Sequence, residues 1–316
     1  MTDGTEQTVD KRAAHSPAVE SRVAAADMHV KLCVIALTVV WAAAMSGRFG
    51  LRFTSADVCG WGGLLVGLSV VALYYQHRRH ARFSTTIQVL LHLVAFCPSF
   101  VVLMYAIAAS GHPLADPELT RFDAALGFHE SAVVGWARAH PTANGFFTAA
   151  YVTLMPQTLL AIVVLGLFDD GLALRKFILR FMVCALITAG LFLWFPAAGP
   201  FTIQGYQPTD VQTHYLTHFR AMRDGATLTL RWNEVEGLIT FPSFHATWAV
   251  LLALAYWKRR LLFPLFAALN AVVVVSTLTT GWHYLIDVLG GVVVCFLVLI
   301  ALRPLEQWLY APPNAA

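Results

Sequence analysis

The chain has 316 residues, of which 58% are hydrophobic and 12% are charged. Soluble domains carry about 25% charged residues, and one soluble core of this size cannot bury so much apolar surface, so an ordinary soluble protein is excluded. The formal net charge of +3 is too small to indicate a nucleic-acid partner.

Both ends of the chain are expected to lie outside the folded part. Residues 1–27 are polar and alanine-rich and carry charges of both signs. They lack the apolar stretch of a cleavable signal peptide, so we predict a disordered cytoplasmic tail. Residues 307–316 are predicted to form a C-terminal tail.

Eight apolar segments approach the length of about 20 residues that a membrane-spanning helix needs. They cover residues 29–47, 56–76, 86–110, 145–168, 175–197, 241–257, 261–280 and 282–302. The sequence therefore predicts an all-α, polytopic membrane bundle of about eight helices. We divide it into N-terminal membrane helices over residues 28–110 and a second membrane domain over residues 111–306.

The basic residues indicate how this bundle is oriented. With the N-terminus in the cytoplasm, fourteen of the 21 Lys and Arg residues fall in inner segments and seven in outer segments. The excess favours this topology by the positive-inside rule, and the tight inner loop Lys258-Arg259-Arg260 is its clearest feature.

Two outer segments are long for a compact domain. Residues 111–143 mix apolar and polar side chains in a way that suits a helix lying in the membrane interface. Residues 198–240 lead directly into the sixth span. Long loops of this kind are usually functional or disordered.

Two histidines begin the sixth and eighth spans. His245 follows Phe241-Pro242-Ser243-Phe244, and His283 follows Gly281-Trp282. One span separates them, and two crossings return the chain to the same face. We therefore expect both imidazoles on one face, which the charge bias makes the outer one.

His283 and Asp287 are four residues apart on the eighth span, so they share one helix face. A carboxylate there can accept the imidazole N–H, which leaves the other ring nitrogen free as a nucleophile. A second histidine can donate a proton to a departing oxygen. Asp287 is also the only acidic residue clearly inside a predicted span, and such residues usually serve function. A packing pair or a helix cap is the alternative interpretation.

These motifs resemble those of a known family. Phe241-Pro242-Ser243-Phe244-His245 is similar to the Pro-Ser-x-His motif of the type 2 phosphatidic acid phosphatase superfamily. Gly281-Trp282-His283-Tyr284-Leu285-Ile286-Asp287 is similar to its last motif, and the form His-Tyr-x-x-Asp-Val most resembles the inositolphosphotransferase branch, which is similar to inositol phosphorylceramide synthase and sphingomyelin synthases. The resemblance covers roughly residues 120–302.

The resemblance implies a six-helix phosphatase core and a catalytic role for the domain over residues 111–306. It implies that His283 attacks phosphorus, that Asp287 orients His283, and that His245 protonates the leaving alkoxide. A phosphohistidine intermediate without metal or cofactor follows. The implied substrate is a phospholipid or sphingolipid in the membrane, with water, inositol or another alcohol as acceptor.

The chain departs from the family pattern at two cations. Thr277 stands where the last motif usually has an arginine, and the first motif is not recognisable near residues 195–200. This disfavours plain phosphomonoester hydrolysis. A phosphate in a dry site still needs positive charge, so we predict substrate binding by Arg223, with Arg220, Arg231 and the hydroxyl of Ser243 as further candidates. Ser243 also suits a helix cap.

Other functions stay open at this stage. His214 and His218 are four residues apart, as metal ligands often are, but the sequence shows no third ligand, so no metal site is predicted. A lipid phosphate phosphatase is the alternative enzyme. The alternatives of another class are a non-catalytic lipid-binding protein, a transporter, and a haem protein that uses His245 and His283 as ligands.

Overall fold

The structure is a computed structural model that describes residues 17–46, 51–168, 171–226 and 229–310. Within these ranges the chain forms twelve α-helices, which confirms the predicted all-α membrane bundle. The helices are α1 (Pro17–Ser46), α2 (Ser55–His77), α3 (Ala81–Ala108), α4 (Asp116–Ala125), α5 (Glu130–Ala139), α6 (Pro141–Tyr151), α7 (Leu154–Leu167), α8 (Leu172–Trp194), α9 (Asp210–Arg223), α10 (Phe244–Ala255), α11 (Leu262–Thr279) and α12 (Leu285–Tyr310).

Short elements complete the outer segments. Single 3-10 turns cover Pro200–Thr202 and Trp232–Glu234. Strand β1 (Arg52–Phe53) pairs in parallel with strand β2 (Thr229–Leu230). This pair ties the long segment after α8 to the connection between α1 and α2.

Six described helices are long and apolar enough to cross a membrane, namely α1, α2, α3, α8, α11 and α12. Helices α6 and α7 together make a seventh candidate, bent by 44° at their junction. The bend has a local cause, since Pro156 supplies no backbone N–H and its ring crowds the carbonyl group of Val152. The predicted span over residues 145–168 is therefore a broken one.

The predicted span over residues 241–257 is shorter than expected. Helix α10 has 12 residues, which is about 18 Å of helix against a hydrocarbon thickness of about 30 Å. It begins at Phe244 because the Ser243 side chain accepts a hydrogen bond from the backbone N–H of Ala246, 3.2 Å away, and caps the helix. The segment before it is turn and extended chain, which leaves backbone groups free to serve the site.

Both predicted tails overlap helices. Helix α1 already begins at Pro17, and α12 continues to Tyr310. A buried polar contact explains the difference: Asp27 accepts hydrogen bonds from Lys31 at 2.7 Å, from Arg175 at 2.9 Å and from the Tyr310 hydroxyl at 2.6 Å. The first and last helices are therefore docked through their ends. Residues 1–16 and 311–316 of the predicted tails lie outside the described residues.

The end of the bundle that carries these contacts is rich in cations. The Arg180 guanidinium donates two hydrogen bonds to the Glu306 carboxylate, at 2.6 and 2.7 Å. A cavity of about 330 Å³ beside this pair is also lined by Lys176, Lys258 and Arg303. Helix α10 runs from His245 towards this end, so the cavity and the two histidines lie at opposite ends of the bundle.

Candidate active site

His245 and His283 come together at one end of the bundle, as helix counting predicts. Their ring centroids are 5.8 Å apart. His245 lies in the first turn of α10, and His283 lies in the turn that joins α11 to α12. Only 3% of the His283 surface is exposed. The two imidazoles are thus close enough for one phosphoryl group to contact both.

The backbone carbonyl of Thr240 holds the His283 ring. Its oxygen lies 3.0 Å from His283 Nδ1. With the proton on Nδ1, this contact directs the lone pair of Nε2 outward, which is the arrangement a nucleophile needs. Burial and, to a smaller extent, the neighbouring His245 lower the pKa of the His283 imidazole to about 3. The ring is therefore neutral at physiological pH.

Asp287 is less directly engaged with His283 than the sequence indicates. Its Oδ2 lies 3.5 Å from His283 Nδ1, at the limit of a hydrogen bond, and accepts the backbone N–H of Tyr284 at 3.0 Å. The hydrogen-bonding partner predicted for His283 is thus supplied chiefly by Thr240. The Asp287 carboxylate, which is fully buried, remains close enough to stabilise a positive charge on the ring.

Helix α10, which carries His245, and helix α12, which follows His283, approach each other very closely. The backbone N–H of Ser243 donates to the carbonyl oxygen of Asp287 at 2.9 Å, and the Thr247 hydroxyl donates to the carbonyl oxygen of Gly291 at 2.8 Å. A Cβ atom at Gly291 would collide with the carbonyl group of Ser243. Glycine at this position therefore sets the spacing of His245 and His283.

Acidic side chains from α4 position the start of α12. Asp123 accepts the backbone N–H groups of Leu285 and Ile286 at 2.6 and 2.8 Å. These are N-terminal helix donors, which favour a negative partner. Glu130 hydrogen bonds to Asp123, and burial together with this contact raises the pKa of Glu130 to about 8. Glu130 is therefore protonated at neutral pH and can donate to Asp123.

A second carboxylate fixes the chain after α8. Asp116 accepts the backbone N–H groups of Ala198 and Gly199 at 2.9 and 2.8 Å and the Tyr284 hydroxyl at 2.9 Å. Gly199 has a φ of +113°, a conformation that side chains disfavour. Burial raises the pKa of Asp116, and the three hydrogen bonds oppose that effect. The Asp116 carboxylate thus holds the chain directly after residues 195–197, in the region where the first family motif is not recognisable.

The predicted substrate-binding residues have different surroundings. Ser243 is fully buried, and its hydroxyl caps α10. Arg223 donates to the backbone carbonyl groups of Ala108, at 3.4 Å, and of His112, at 2.5 Å. Arg220 and Arg231 are exposed, and neither guanidinium group hydrogen bonds to another described residue.

Burial lowers the pKa of the Arg223 guanidinium, and the nearby carboxylates of Asp116 and Asp224 oppose this effect. Arg223 is therefore close enough to interact electrostatically with Asp116. Thr277, which replaces the usual arginine, is fully buried, and its hydroxyl donates to the carbonyl of Val274 at 2.7 Å within its own helix. It therefore supplies no cation to the site.

Two residues that contact the histidines could not be predicted from the sequence. Thr240 acts through its backbone, which carries no sequence signal. Tyr151, at the end of α6, stacks on His245 with ring centroids 4.6 Å apart and an interplanar angle of 18°. Its position depends on how the bent pair α6 and α7 packs, so its sequence position alone gives no hint.

The comparisons with known proteins bear on these same residues. A family model described as the PAP2 superfamily matches residues 117–301. The match covers more than half of the 316 residues and includes both histidines and Asp287. The comparison with curated proteins and the comparison with solved structures gave no match.

Proposed function

This chain belongs to the PAP2 superfamily, and we propose on that premise that it is a membrane enzyme that transfers a phosphate-linked lipid headgroup through a phosphohistidine on His283. The superfamily supports phosphatase or phosphotransferase chemistry on lipid-like phosphate esters in general. The observation that supports headgroup transfer through His283 is the placement of this residue: its Nδ1 is hydrogen bonded to the Thr240 carbonyl oxygen, and its ring lies beside that of His245.

The first step forms a bond between His283 Nε2 and phosphorus and breaks the bond between phosphorus and the leaving alcohol. The departing alkoxide takes a proton from the His245 imidazolium. The incoming phosphate is negative, and a negative group nearby favours the protonated form of His245. Asp287, 3.5 Å from His283, stabilises the charge that develops on the phosphorylated ring.

The second step reverses these roles. An acceptor hydroxyl attacks phosphorus, its proton moves to His245, and the bond between phosphorus and nitrogen breaks. His283 returns to its neutral form. A water acceptor gives hydrolysis, whereas an alcohol such as inositol gives transfer.

Two features support transfer over hydrolysis of a lipid monophosphate. Thr277 leaves the site without the arginine that would neutralise a second phosphate charge, so a phosphodiester is the better match. His283 is also almost fully buried, which limits access of water to the intermediate. A lipid substrate fits a site at the ends of membrane helices, because lipid headgroups lie at that depth.

We also propose that the site lies at the extracytoplasmic face and that the N-terminus is cytoplasmic. The cation-rich end of the bundle, with Lys176, Lys258 and Arg303, lies opposite the histidines. Basic residues near the ends of spans favour the cytoplasmic side, which leaves His245 and His283 outside.

The proposal is tested with purified protein and a panel of labelled phospholipids, with and without inositol or a long-chain alcohol. The variant is His283→Asn, whose amide can keep the hydrogen bond to Thr240. His77→Ala, an exposed histidine at the end of α2, is the matched control. We expect a labelled transfer product with wild type and the control but not with His283→Asn. Release of phosphate alone would favour the phosphatase alternative. The absence of any phosphorus-containing product would overturn the proposal that the protein is an enzyme.

A further inference from the structure

His214 and His218, which have no third ligand in the sequence, acquire one in the fold. Both lie on helix α9, and Glu236 lies on the segment that follows the second 3-10 turn. One ligand atom from each residue lies within 4.8 Å of the other two. Within the part of the chain that the structure describes, this is the one cluster of three such side chains.

The contacts inside the cluster are those of an incomplete site. Glu236 Oε2 is buried and has no hydrogen-bond partner, although a buried carboxylate oxygen without a partner is costly. It lies 3.6 Å from His218 Nδ1, which is too long for a hydrogen bond. Two ligands of one tetrahedral zinc ion, each about 2.1 Å from the metal, lie about 3.4 Å apart. The observed spacing therefore suits two ligands of a shared ion.

The elements that carry the three ligands are fixed by other contacts. The Gln212 side chain donates to the carbonyl groups of Thr280 and Gly281 at 3.1 and 3.2 Å, which anchors α9. The backbone N–H of Glu236 donates to the Tyr105 hydroxyl at 3.0 Å. The backbone segments that carry the ligands are therefore held in place before any ion binds, which lowers the entropic cost of binding.

We propose that His214, His218 and Glu236 bind one divalent transition-metal ion, with zinc as the best match, and that this ion fixes the segment that holds the catalytic histidines. Two imidazoles and one carboxylate form a set that zinc binds with a fourth, water-filled position. His214 is exposed, so an ion can enter from solvent.

The placement of Glu236 gives the ion its structural consequence. The next residue, Gly237, lies against His245, because a Cβ atom added to Gly237 would be 3.8 Å from the His245 ring. Thr240, four residues after Glu236, holds His283. The ion would thus clamp one end of a short segment that contacts both histidines. It acts by positioning and takes no part in the transfer of the phosphoryl group.

The test uses the tag-free full chain in detergent, stripped with a chelator and titrated with Zn²⁺ by calorimetry. We expect saturable binding of one ion per chain. His214→Ala and Glu236→Gln each remove a direct ligand and should weaken binding by about 100-fold or more, because loss of a residue that only supports a ligand already costs about 10–100-fold. The double variant His77→Ala/His80→Ala is the matched control, because it removes two exposed histidines three residues apart at the other end of the bundle. It should bind as wild type does.

A second measurement separates loss of the site from loss of the fold. The metal-free Glu236→Gln variant should melt at the same temperature as the metal-free wild type, while Zn²⁺ should raise the melting temperature of the wild type only. Hydrogen exchange over residues 236–240 should slow on Zn²⁺ addition in the wild type and stay unchanged in the variant. Equal zinc affinity in wild type and the Glu236→Gln variant, or no saturable binding by wild type, would overturn the proposal.

Discussion

Replacing Gly291 by alanine tests the close approach that spaces the two histidines. A Cβ atom there would collide with the carbonyl oxygen of Ser243 and lie 3.1 Å from both the Ser243 carbonyl carbon and the Thr247 hydroxyl. Non-bonded heavy atoms prefer about 3.5 Å or more, so the two backbones must separate by about 1 Å. Ser243 is two residues from His245, and Gly291 is on the helix that follows His283, so the two imidazoles must move apart.

The expected effect is larger on activity than on stability. A misplacement of about 1 Å between reacting groups can cost about 100-fold in rate, whereas overpacking costs about 1–3 kcal/mol in the free energy of unfolding. The turnover of a labelled phospholipid and the melting temperature in detergent measure the two effects. Gly67→Ala is the matched control, because Gly67 lies in a membrane helix with nothing within 4 Å of the added Cβ. Turnover by Gly291→Ala within threefold of wild type would refute the reasoning.

Three further predictions follow from the surrounding contacts. In the folded protein the pKa of Glu130 is about 8, above its ordinary value of 4.5, so the folded state keeps a proton that the unfolded chain loses and stability falls as the pH rises from about 4.5 to 8. Glu130→Gln, which can still donate to Asp123, should reduce the fall in melting temperature between pH 6 and 9, and an unchanged fall would contradict the assignment. Glu306→Ala leaves Arg180 without its partner and should lower the free energy of unfolding by about 3 kcal/mol, as chemical denaturation measures. A double variant with Arg180→Ala that loses as much stability as the two single variants together would contradict an interaction between the two residues. A fluorescent reporter fused after Tyr310 should report a cytoplasmic location, and an extracytoplasmic one would reverse the proposed orientation.

The sequence is most informative where a feature depends on local pattern or on counting crossings. Apolar length identifies the membrane helices, and the single span between His245 and His283 places both at one end without knowledge of any contact. The family resemblance adds the proposed roles of these residues. The PAP2 superfamily match over residues 117–301 agrees with the range that the motifs indicate.

The sequence is least informative where a residue acts through its backbone or through a distant partner. The Thr240 carbonyl reaches His283 only because residues 235–243 run as turn and extended chain into a short α10. Glu236 joins His218 only because of the path between α9 and that segment. Asp27 and Tyr310, 283 residues apart, meet only when the first and last helices pack. No periodic pattern of residues in the sequence indicates any of these contacts.

The most direct test of the account is to trap the covalent intermediate. Protein incubated with a phosphate ester labelled at phosphorus is quenched in alkaline detergent, which preserves a bond between phosphorus and nitrogen, and is then digested for mass spectrometry. We expect label on His283 in the wild type and no label on that peptide in His283→Asn. Turnover without label on any histidine, or label on His245 in place of His283, would contradict it.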